Sequence, residues 1–386
     1  DANTTASNNT ALGQGSLGAN TTGASNTAVG KSALTANTTG AQNTAVGEGA
    51  LDANTTANNN TALGFDALGA NTEGTQNLAV GEESLLANTT GGQNVAIGSE
   101  SMKANTTGSN NVALGRNALK GNTTAANNVA LGMDTLVANT TGTRNLAIMK
   151  NALNSSDTED DNIAIGYNAM TTDTAGGTLN IALGNYALDA LTSGDYNVGV
   201  GHNALSANST GGENTAIGYE ALLTNTTASE NTAVGFQALK LNTTGTGLVA
   251  MGRLANHKNT TANDNTAIGF QALRETTTGA DNTALGSAAL YTNTTGARNT
   301  GLGHDALYTN ATVSDNTAVG WKALRVNVAA SNTAVGSSAL AATTTGHSNV
   351  AAGKGALDSN TTGYENNAFG LNAGGGNTTG YRNVFI

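Results

Sequence analysis

The chain of 386 residues contains no cysteine and no proline, and only 4% of its residues are aromatic and 11% charged. Without cysteine it has neither disulfides nor thiolate metal sites. Its net charge of −11 argues against binding to nucleic acid, which needs clustered Lys and Arg. No apolar run approaches the roughly 18 residues of a membrane-spanning helix, so we expect no membrane insertion by this segment. Glycine, by contrast, is abundant, with 51 residues.

One short pattern fills the chain. The letters NTAVG at 26–30 return at 43–47, and an anchor asparagine recurs with this 17-residue period, with Leu248 the exception among 23 anchors. With Asn26 as position 1, the unit reads N-[TV]-A-[VLI]-G-x-x-A-[LM]-x-x-N-T-T-G-x-x. The interval is longer by one at 162–179 and shorter by one at 316–331, and the coil 145–161 departs in composition. We interpret residues 1–386 as a single repeat domain.

Positions 2–4 of the unit alternate as a short strand does, whereas two glycines per unit would interrupt a helix. Position 5 is Gly in 21 of 22 units, which predicts a turn that disfavours a Cβ atom. Ala-Leu at positions 8 and 9 predicts a second short strand, and N-T-T-G predicts a return loop. The sequence therefore predicts an all-β parallel β-solenoid of about 22 coils, with equivalent positions about 4.8 Å apart.

Charged residues are excluded from part of the unit. The 15 Lys and Arg and the 26 Asp and Glu all avoid positions 1 to 5, 8 and 9. Both faces of the strand are therefore expected to be covered: one carries Thr27 and Val29, the other Asn26 and Ala28. One face can fill the coil interior, and the other is expected to meet another copy of the chain in a homo-oligomeric rod. The alternative is a lone solenoid whose small residues fill a narrow core.

The repeated asparagines predict ladders along the solenoid. Position 1 is Asn in 22 of 23 anchors and position 12 in 17 of 22 units, so stacked coils would align their amides, each donating to one neighbouring coil and accepting from the other. The candidate ladder residues are Asn26, Asn43, Asn60 and Asn94 at position 1, with Asn37 and Asn54 at position 12. We interpret these asparagines as structural.

The runs NTAVGEGAL (43–51), NVAIGSESM (94–102) and NTAIGYEAL (214–222) resemble the head repeats of trimeric autotransporter adhesins of the YadA type. The longer unit with its N-T-T-G loop is similar to 17-residue repeats of bacterial surface fibres and phage tail-fibre-like proteins. The resemblance implies a left-handed β-roll, three chains per rod, an extracellular location and a role in attachment. This chain departs from the YadA type in its longer unit and in showing no neck, coiled-coil stalk, membrane anchor or chaperone domain.

An acidic loop is the first irregularity that invites a site. Met149 replaces the position 5 glycine of the coil 145–161, and Asp157, Glu159, Asp160 and Asp161 follow within five residues. Clustered carboxylates can bind Ca²⁺, which takes six to eight oxygen ligands. The spaced D-x-D-x-D-G pattern of a calcium loop is missing, which favours a solvated acidic loop over a metal site.

A column of aromatic residues at position 6 is the second irregularity. Exposed aromatic residues in a row typically mark a contact, either with a ligand such as a sugar or along a seam between protomers, and the seam is the preferred interpretation. The candidates are Phe65, Tyr167, Tyr219, Phe236, Phe270 and Trp321, interspersed with His202 and His304.

No arrangement in the sequence predicts catalysis. His202, His257, His304 and His347 lie on separate coils at positions expected to be exposed, and no carboxylate pair recurs in a groove. We predict no enzymatic activity and no cofactor. The predicted function is a structural and adhesive segment of an extracellular bacterial fibre or surface appendage, with a host or other surface receptor as a possible partner. A phage tail-fibre shaft is the alternative.

An ice-binding solenoid is a weaker alternative, suggested by threonine columns at positions 13 and 14, such as Thr38 with Thr39 and Thr55 with Thr56. Adjacent threonines in one strand point to opposite faces, which argues against it.

Overall fold

In the computed structural model, which describes residues 5–172 and 176–386, the chain forms an all-β parallel β-solenoid of about 22 turns. It divides into two compact units, unit 1 (Asp1–Asp195) and unit 2 (Tyr196–Ile386), built from the same repeat. Each coil contributes one strand at positions 2–4. The described residues contain no helix, as the glycine and asparagine content predicts.

The strands of unit 1 are β1 (Thr10–Leu12), β2 (Thr27–Val29), β3 (Thr44–Val46), β4 (Thr61–Leu63), β5 (Leu78–Val80), β6 (Val95–Ile97), β7 (Val112–Leu114), β8 (Val129–Leu131), β9 (Leu146–Ile148), β10 (Ile163–Ile165) and β11 (Ile181–Leu183). The strands of unit 2 are β12 (Val198–Val200), β13 (Thr215–Ile217), β14 (Thr232–Val234), β15 (Val249–Met251), β16 (Thr266–Ile268), β17 (Thr283–Leu285), β18 (Thr300–Leu302), β19 (Thr317–Val319), β20 (Thr333–Val335), β21 (Val350–Ala352), β22 (Asn367–Phe369) and β23 (Val384–Phe385).

Within each unit, consecutive strands pair in parallel and in register, so each residue lies beside its equivalent one coil later. Thr27 of β2, for example, pairs with Thr44 of β3. The register also survives the two coils of irregular length. Strand β10 pairs with β11 across the longer interval, and β19 pairs with β20 across the shorter one. The loop positions absorb the change in length. Residues 173–175 of the longer coil lie outside the described part.

The interior of each coil is lined by small aliphatic side chains and asparagine amides. Ala28 at position 3, Ala33 at position 8 and Leu34 at position 9 have no exposed surface, and their equivalents are buried in most other coils, although not in the first. The alanine side of the strand therefore fills the interior. This decides which strand face is internal, a choice that the sequence pattern left open.

The prediction of a second strand at positions 8 and 9 is wrong. The Ala-Leu run forms a turn, in which Leu34 has a left-handed φ of 52°. Its backbone N–H still bonds the next coil, donating to the carbonyl oxygen of Ala50 at 3.0 Å. A left-handed leucine costs roughly 1–2 kcal/mol. Complete burial of its side chain contributes roughly 1.5–3 kcal/mol and offsets that cost.

The position 5 glycine is needed for the turn that follows the strand. Gly30 has a φ of 137°, a conformation open only to glycine at low cost. A Cβ atom at this residue would also collide with the backbone carbonyl of Gly47 in the next coil. Where Met149 takes this position, φ changes to 86°. The turn therefore tolerates a side chain only with a shifted backbone.

Candidate functional site

In the single chain, the fold leaves the outward face of the strands partly exposed. In β2, Thr27 and Val29 are half-buried while Ala28 between them is fully buried, and most strands repeat this pattern. No residue of the described strands carries a charge. The expectation that both faces are covered therefore holds in the single chain for the inner face alone. The face is uncharged throughout and has an aliphatic residue in nearly every strand, and exposed apolar surface of this kind typically marks a contact with another protein.

The position 1 asparagines bond backbone groups. The Asn26 Oδ1 atom accepts a hydrogen bond from the backbone N–H of Asn43 at 2.9 Å. The Asn26 Nδ2 atom donates to the carbonyl oxygen of Gly40, in the loop of its own coil, at 2.8 Å. Asn60 and Asn94 accept and donate in the same way, and Asn94 Nδ2 also donates to Asn77 Oδ1 at 3.2 Å, so part of this column is an amide ladder as well. This column ties each coil both to its neighbour and to its own loop.

The position 12 asparagines form the amide-to-amide ladder. The Asn37 Nδ2 atom donates to Asn20 Oδ1 at 2.9 Å, and Asn54 Nδ2 donates to Asn37 Oδ1 at 2.8 Å. Asn37 Nδ2 also donates to the carbonyl of Gly40 at 2.9 Å. These three amides are buried, so the N-T-T triplets that begin at Asn20, Asn37 and Asn54 present no accessible acceptor for a glycan. Their arrangement is structural.

The two threonine columns differ in exposure. At position 13 the Thr38 hydroxyl donates to the carbonyl oxygen of Thr55 in the next coil at 3.1 Å. Thr39, at position 14, is exposed. Only one of the two columns therefore faces solvent, which reduces the support for an ice-binding surface formed by both.

The acidic loop spreads its carboxylates over different partners. The Asp161 carboxylate accepts two hydrogen bonds from the Arg144 guanidinium, at 2.6 and 2.7 Å, and these lower its pKa. Asp160 Oδ1 accepts from the backbone N–H and the hydroxyl of Thr143, at 2.6 and 2.8 Å. Asp157 is exposed. Among the described residues, no group of three or more His, Asp or Glu side chains is arranged to hold a metal ion.

Glu159 departs most from the sequence interpretation of a solvated loop, because its side chain is only 2% exposed. Its Oε2 atom accepts from the Ser156 hydroxyl at 2.9 Å and from the backbone N–H groups of Asp157 and Thr158 at 2.7 and 3.0 Å. Its Oε1 atom accepts from the N–H of Gly176 at 3.0 Å. The carboxylate is thus an internal acceptor, and the solvated interpretation is wrong for this residue.

The position 6 aromatic residues of unit 2 stack on one another. The rings of His202 and Tyr219 have centroids 5.7 Å apart, and those of Tyr219 and Phe236 are 5.3 Å apart, each pair nearly parallel. The Arg253 guanidinium lies 5.7 Å from the rings of both Phe236 and Phe270. Both faces of the Tyr219 and Phe236 rings are therefore occupied by neighbours within the chain. This arrangement gives little support to sugar stacking along the column.

The other candidates of this column are more isolated. Phe65 and Trp321 are about half exposed, and the Lys322 ammonium lies 4.1 Å from the centroid of the Trp321 ring. In unit 1, Tyr167 makes an edge-to-face contact with Tyr186 at 5.5 Å. The candidate stripe is thus one stacked run in unit 2 with separate aromatic residues elsewhere.

Two further stacks were missed from the sequence. At position 10, Tyr291 and Tyr308 are parallel at 5.2 Å, with the guanidinium groups of Arg274 and Arg325 over their outer faces at 5.6 and 5.5 Å. At position 16, the rings of His347, Tyr364 and Tyr381 stack at 5.2 and 4.9 Å. The same 17-residue spacing, applied to every position, would have shown both.

One histidine is not where the sequence places it. His202, His304 and His347 are exposed as expected, but His257 is half-buried. Burial is the main cause that lowers its pKa, followed by the nearby charges of Arg274 and other cations.

A shallow groove of about 330 Å³ lies beside the irregular coils of unit 1. Its lining is uncharged and polar: Asn151, Asn154, Ser155, Asn168 and Thr171. None of the candidate residues named from the sequence lines it.

None of the described residues forms a helix long and apolar enough to cross a membrane.

No family model matches the chain, and no curated protein matches it.

Proposed function

We propose that this chain is a structural and adhesive segment of an extracellular bacterial fibre or surface appendage, assembled from copies of itself, with three chains as the favoured number. The observation that carries the proposal is the outward sheet face. Its side chains are mainly Thr, Val, Leu and Ile, it recurs from strand to strand, and its described residues carry no charge. Covering such a face with a second sheet removes apolar surface from water.

The distribution of charge supports this role. Ion pairs such as Lys31 with Glu48 at 2.7 Å and Arg298 with Asp315 at 2.7 Å lie at exposed turn and loop positions. These positions keep an assembly soluble while the sheet face remains free for contact. The resemblance of NTAVGEGAL to YadA-type head repeats supports the attachment role and the number of chains. A fibre segment of this kind needs no catalytic residue and no cofactor.

The mass of the intact assembly tests the proposal. Light scattering coupled to gel filtration, run over a hundredfold dilution series, should give three times the 38.1 kDa of one chain. A mass of 38.1 kDa at every concentration would contradict assembly. A different multiple would keep the fibre and change its stoichiometry.

Variants in the aromatic column distinguish a seam between protomers from a stripe that binds a ligand. Serine occupies position 6 in other coils, as at Ser287, so Phe270→Ser with Trp321→Ser should fold. A weaker assembly in this double variant would assign the aromatic column to a seam between protomers. Loss of cell adhesion with an unchanged mass would assign a binding stripe instead. Lys354→Ser, at an exposed and non-aromatic position 6 of the same unit, is the matched control.

A phage tail-fibre shaft remains the alternative and would use the same assembly. Antibodies against the chain should label the bacterial surface under the main proposal. Labelling confined to virion tails would replace it with the alternative.

A further inference from the structure

The outward sheet face is not uniform, and one part of unit 1 differs from the rest. In strands β5–β11 both outward residues of each strand are aliphatic, from Leu78 and Val80 in β5 to Ile181 and Leu183 in β11. We call this run of seven strands the aliphatic strip. The strands on its amino-terminal side, β1–β4, carry Thr at the first outward position.

Beyond its first strand, β12, which still carries Val198 and Val200, unit 2 has a different outward face. In the eight strands β13–β20, the first outward residue is Thr except at Val249 of β15. A threonine hydroxyl at a half-exposed position bonds water, and covering it without a partner costs free energy. The backbone of the strands is the same in both regions, so the difference lies in side-chain chemistry alone.

The aliphatic strip exposes enough surface to hold two chains together. Its fourteen outward residues are half-buried apart from the more exposed Leu114. At the mean exposure of the chain, 14180 Å² over 386 residues, they expose roughly 500 Å², which lies within the range of the largest apolar patch on a monomer. Buried on two copies, this is about 1,000 Å², the least area expected of a biological interface.

The period of the strip indicates which partner covers it. Its side chains form ridges about 4.8 Å apart, set by the in-register parallel pairing of β5–β11. A second copy carries ridges of the same period on the same uncharged face, so the two sheets can interdigitate along the whole strip. A partner without this period would match only a few ridges.

We infer that the aliphatic strip of unit 1 is the main contact between copies of this chain, and that the threonine-lined outward face of β13–β20 contributes little to holding them together. This inference rests on the proposed assembly and specifies where its strength lies.

Paired charge substitutions test the inference. Val95→Asp with Val129→Asp places two carboxylates on the strip, and Thr266→Asp with Thr300→Asp places two at matched half-buried positions in unit 2. Sedimentation of the full chain should show the dissociation constant of the assembly raised about tenfold or more by the strip variant. The unit 2 variant should change it less than about threefold.

A conservative variant guards against misfolding. Val95→Thr with Val129→Thr introduces the residue that β2–β4 carry at the same position, so the fold is retained and the assembly should still weaken. Equal weakening by the two aspartate pairs would overturn the inference while leaving the proposed assembly intact. Weakening by neither pair would exclude the outward face as the contact. A wild-type chain that is monomeric throughout would overturn the proposed function and the inference together.

Discussion

Two coils that carry unusual polar residues at buried positions differ in whether these side chains find hydrogen-bond partners. In the coil 145–161 of unit 1, Ser156 replaces the position 12 asparagine, and the buried Glu159 carboxylate accepts hydrogen bonds from three backbone N–H groups. In the coil 248–264 of unit 2, Leu248 replaces the anchor asparagine and Asn256 replaces the buried leucine of position 9. Both polar side-chain atoms of Asn256 are buried without a hydrogen-bond partner among the described residues.

The comparison shows that the backbone of the solenoid tolerates both changes. Asn256 keeps the left-handed φ, 44° against 50° and 51° for Leu239 and Leu273 in the flanking coils. Its N–H still donates to the next coil, at 2.9 Å from the carbonyl oxygen of Ala272. The two coils differ in whether the buried polar side chain is satisfied. A buried polar side chain is satisfied only where the local loop places hydrogen-bond donors or acceptors next to it.

Removing the Glu159 carboxylate in unit 1 should have the largest effect on the free energy of local opening. Glu159→Ala leaves the N–H groups of Asp157, Thr158 and Gly176 without their acceptor, and we expect local opening of this coil to become easier by roughly 2–4 kcal/mol. Hydrogen exchange of the full chain measures it. Glu73→Ala, at an exposed loop position, is the control and should change nothing.

A double variant tests the same explanation in the opposite direction. Ser156→Asn with Glu159→Gly restores the consensus residues at positions 12 and 15 of the repeat. The stability lost in the alanine variant should therefore return. If the double variant opens as easily as Glu159→Ala, the role assigned to the carboxylate is wrong.

Removing the unsatisfied group in unit 2 should stabilise. Asn256→Leu restores the consensus residue and eliminates an unpaired buried amide, which costs roughly 1–3 kcal/mol. Part of this gain is offset because leucine adopts the left-handed region at a higher conformational cost than asparagine does. We expect a net gain of about 1 kcal/mol in the opening free energy of this coil, again by hydrogen exchange. Leu273→Asn, one coil away, should shift stability in the opposite direction. A loss on Asn256→Leu would mean that the amide is satisfied in solution.

The smallest predicted difference between the two coils is in their response to pH. As pH falls, the coil 248–264 of unit 2 should lose stability first. Burial and the charges of Arg274, Lys240 and Lys258 lower the pKa of His257, against a smaller opposing effect of Glu275. A base with a lowered folded-state pKa contributes stability that is present above the unfolded value of about 6.5. That stability is lost as pH falls through 6.5 toward the folded value.

In the unit 1 coil the titrating group is an acid. The hydrogen bonds from Arg144 lower the pKa of Asp161, so its contribution is present above the unfolded value of about 3.9 and is lost only as pH falls through the folded value. Exchange rates of the two coils, corrected for intrinsic rates between pH 7.5 and 4, should therefore diverge. His257→Gln should abolish the divergence. Parallel loosening of both coils would refute the explanation.

The repeat itself made most of the fold predictable. Internal self-similarity locates the strand at Thr27–Val29 and the turn at Gly30, because every coil repeats the same constraint. It also predicts buried asparagine columns, since a polar residue that recurs among uncharged positions needs a partner in the next coil. The second strand was mispredicted because Leu34 satisfies its burial from a left-handed turn, which apolar patterning cannot distinguish from extended backbone.

The candidate site was less predictable. Alternation in the strand shows two faces but does not say which is internal, because alanine and valine are both compatible with a core. The charge of Glu159 suggested solvent, and only the positions of the surrounding N–H groups reveal why it is buried. The stack formed by Arg274, Tyr291, Tyr308 and Arg325 was readable in principle, because its members share position 10.

The tolerance of the loops for a changed residue count has a genetic consequence. Since strands stay in register across the longer and the shorter interval as well as the regular one, duplication or deletion of a complete repeat leaves every remaining column aligned. A residue inserted inside a strand would instead turn its alanine outward. Gain or loss of complete repeats can therefore change the number of coils without requiring a new fold.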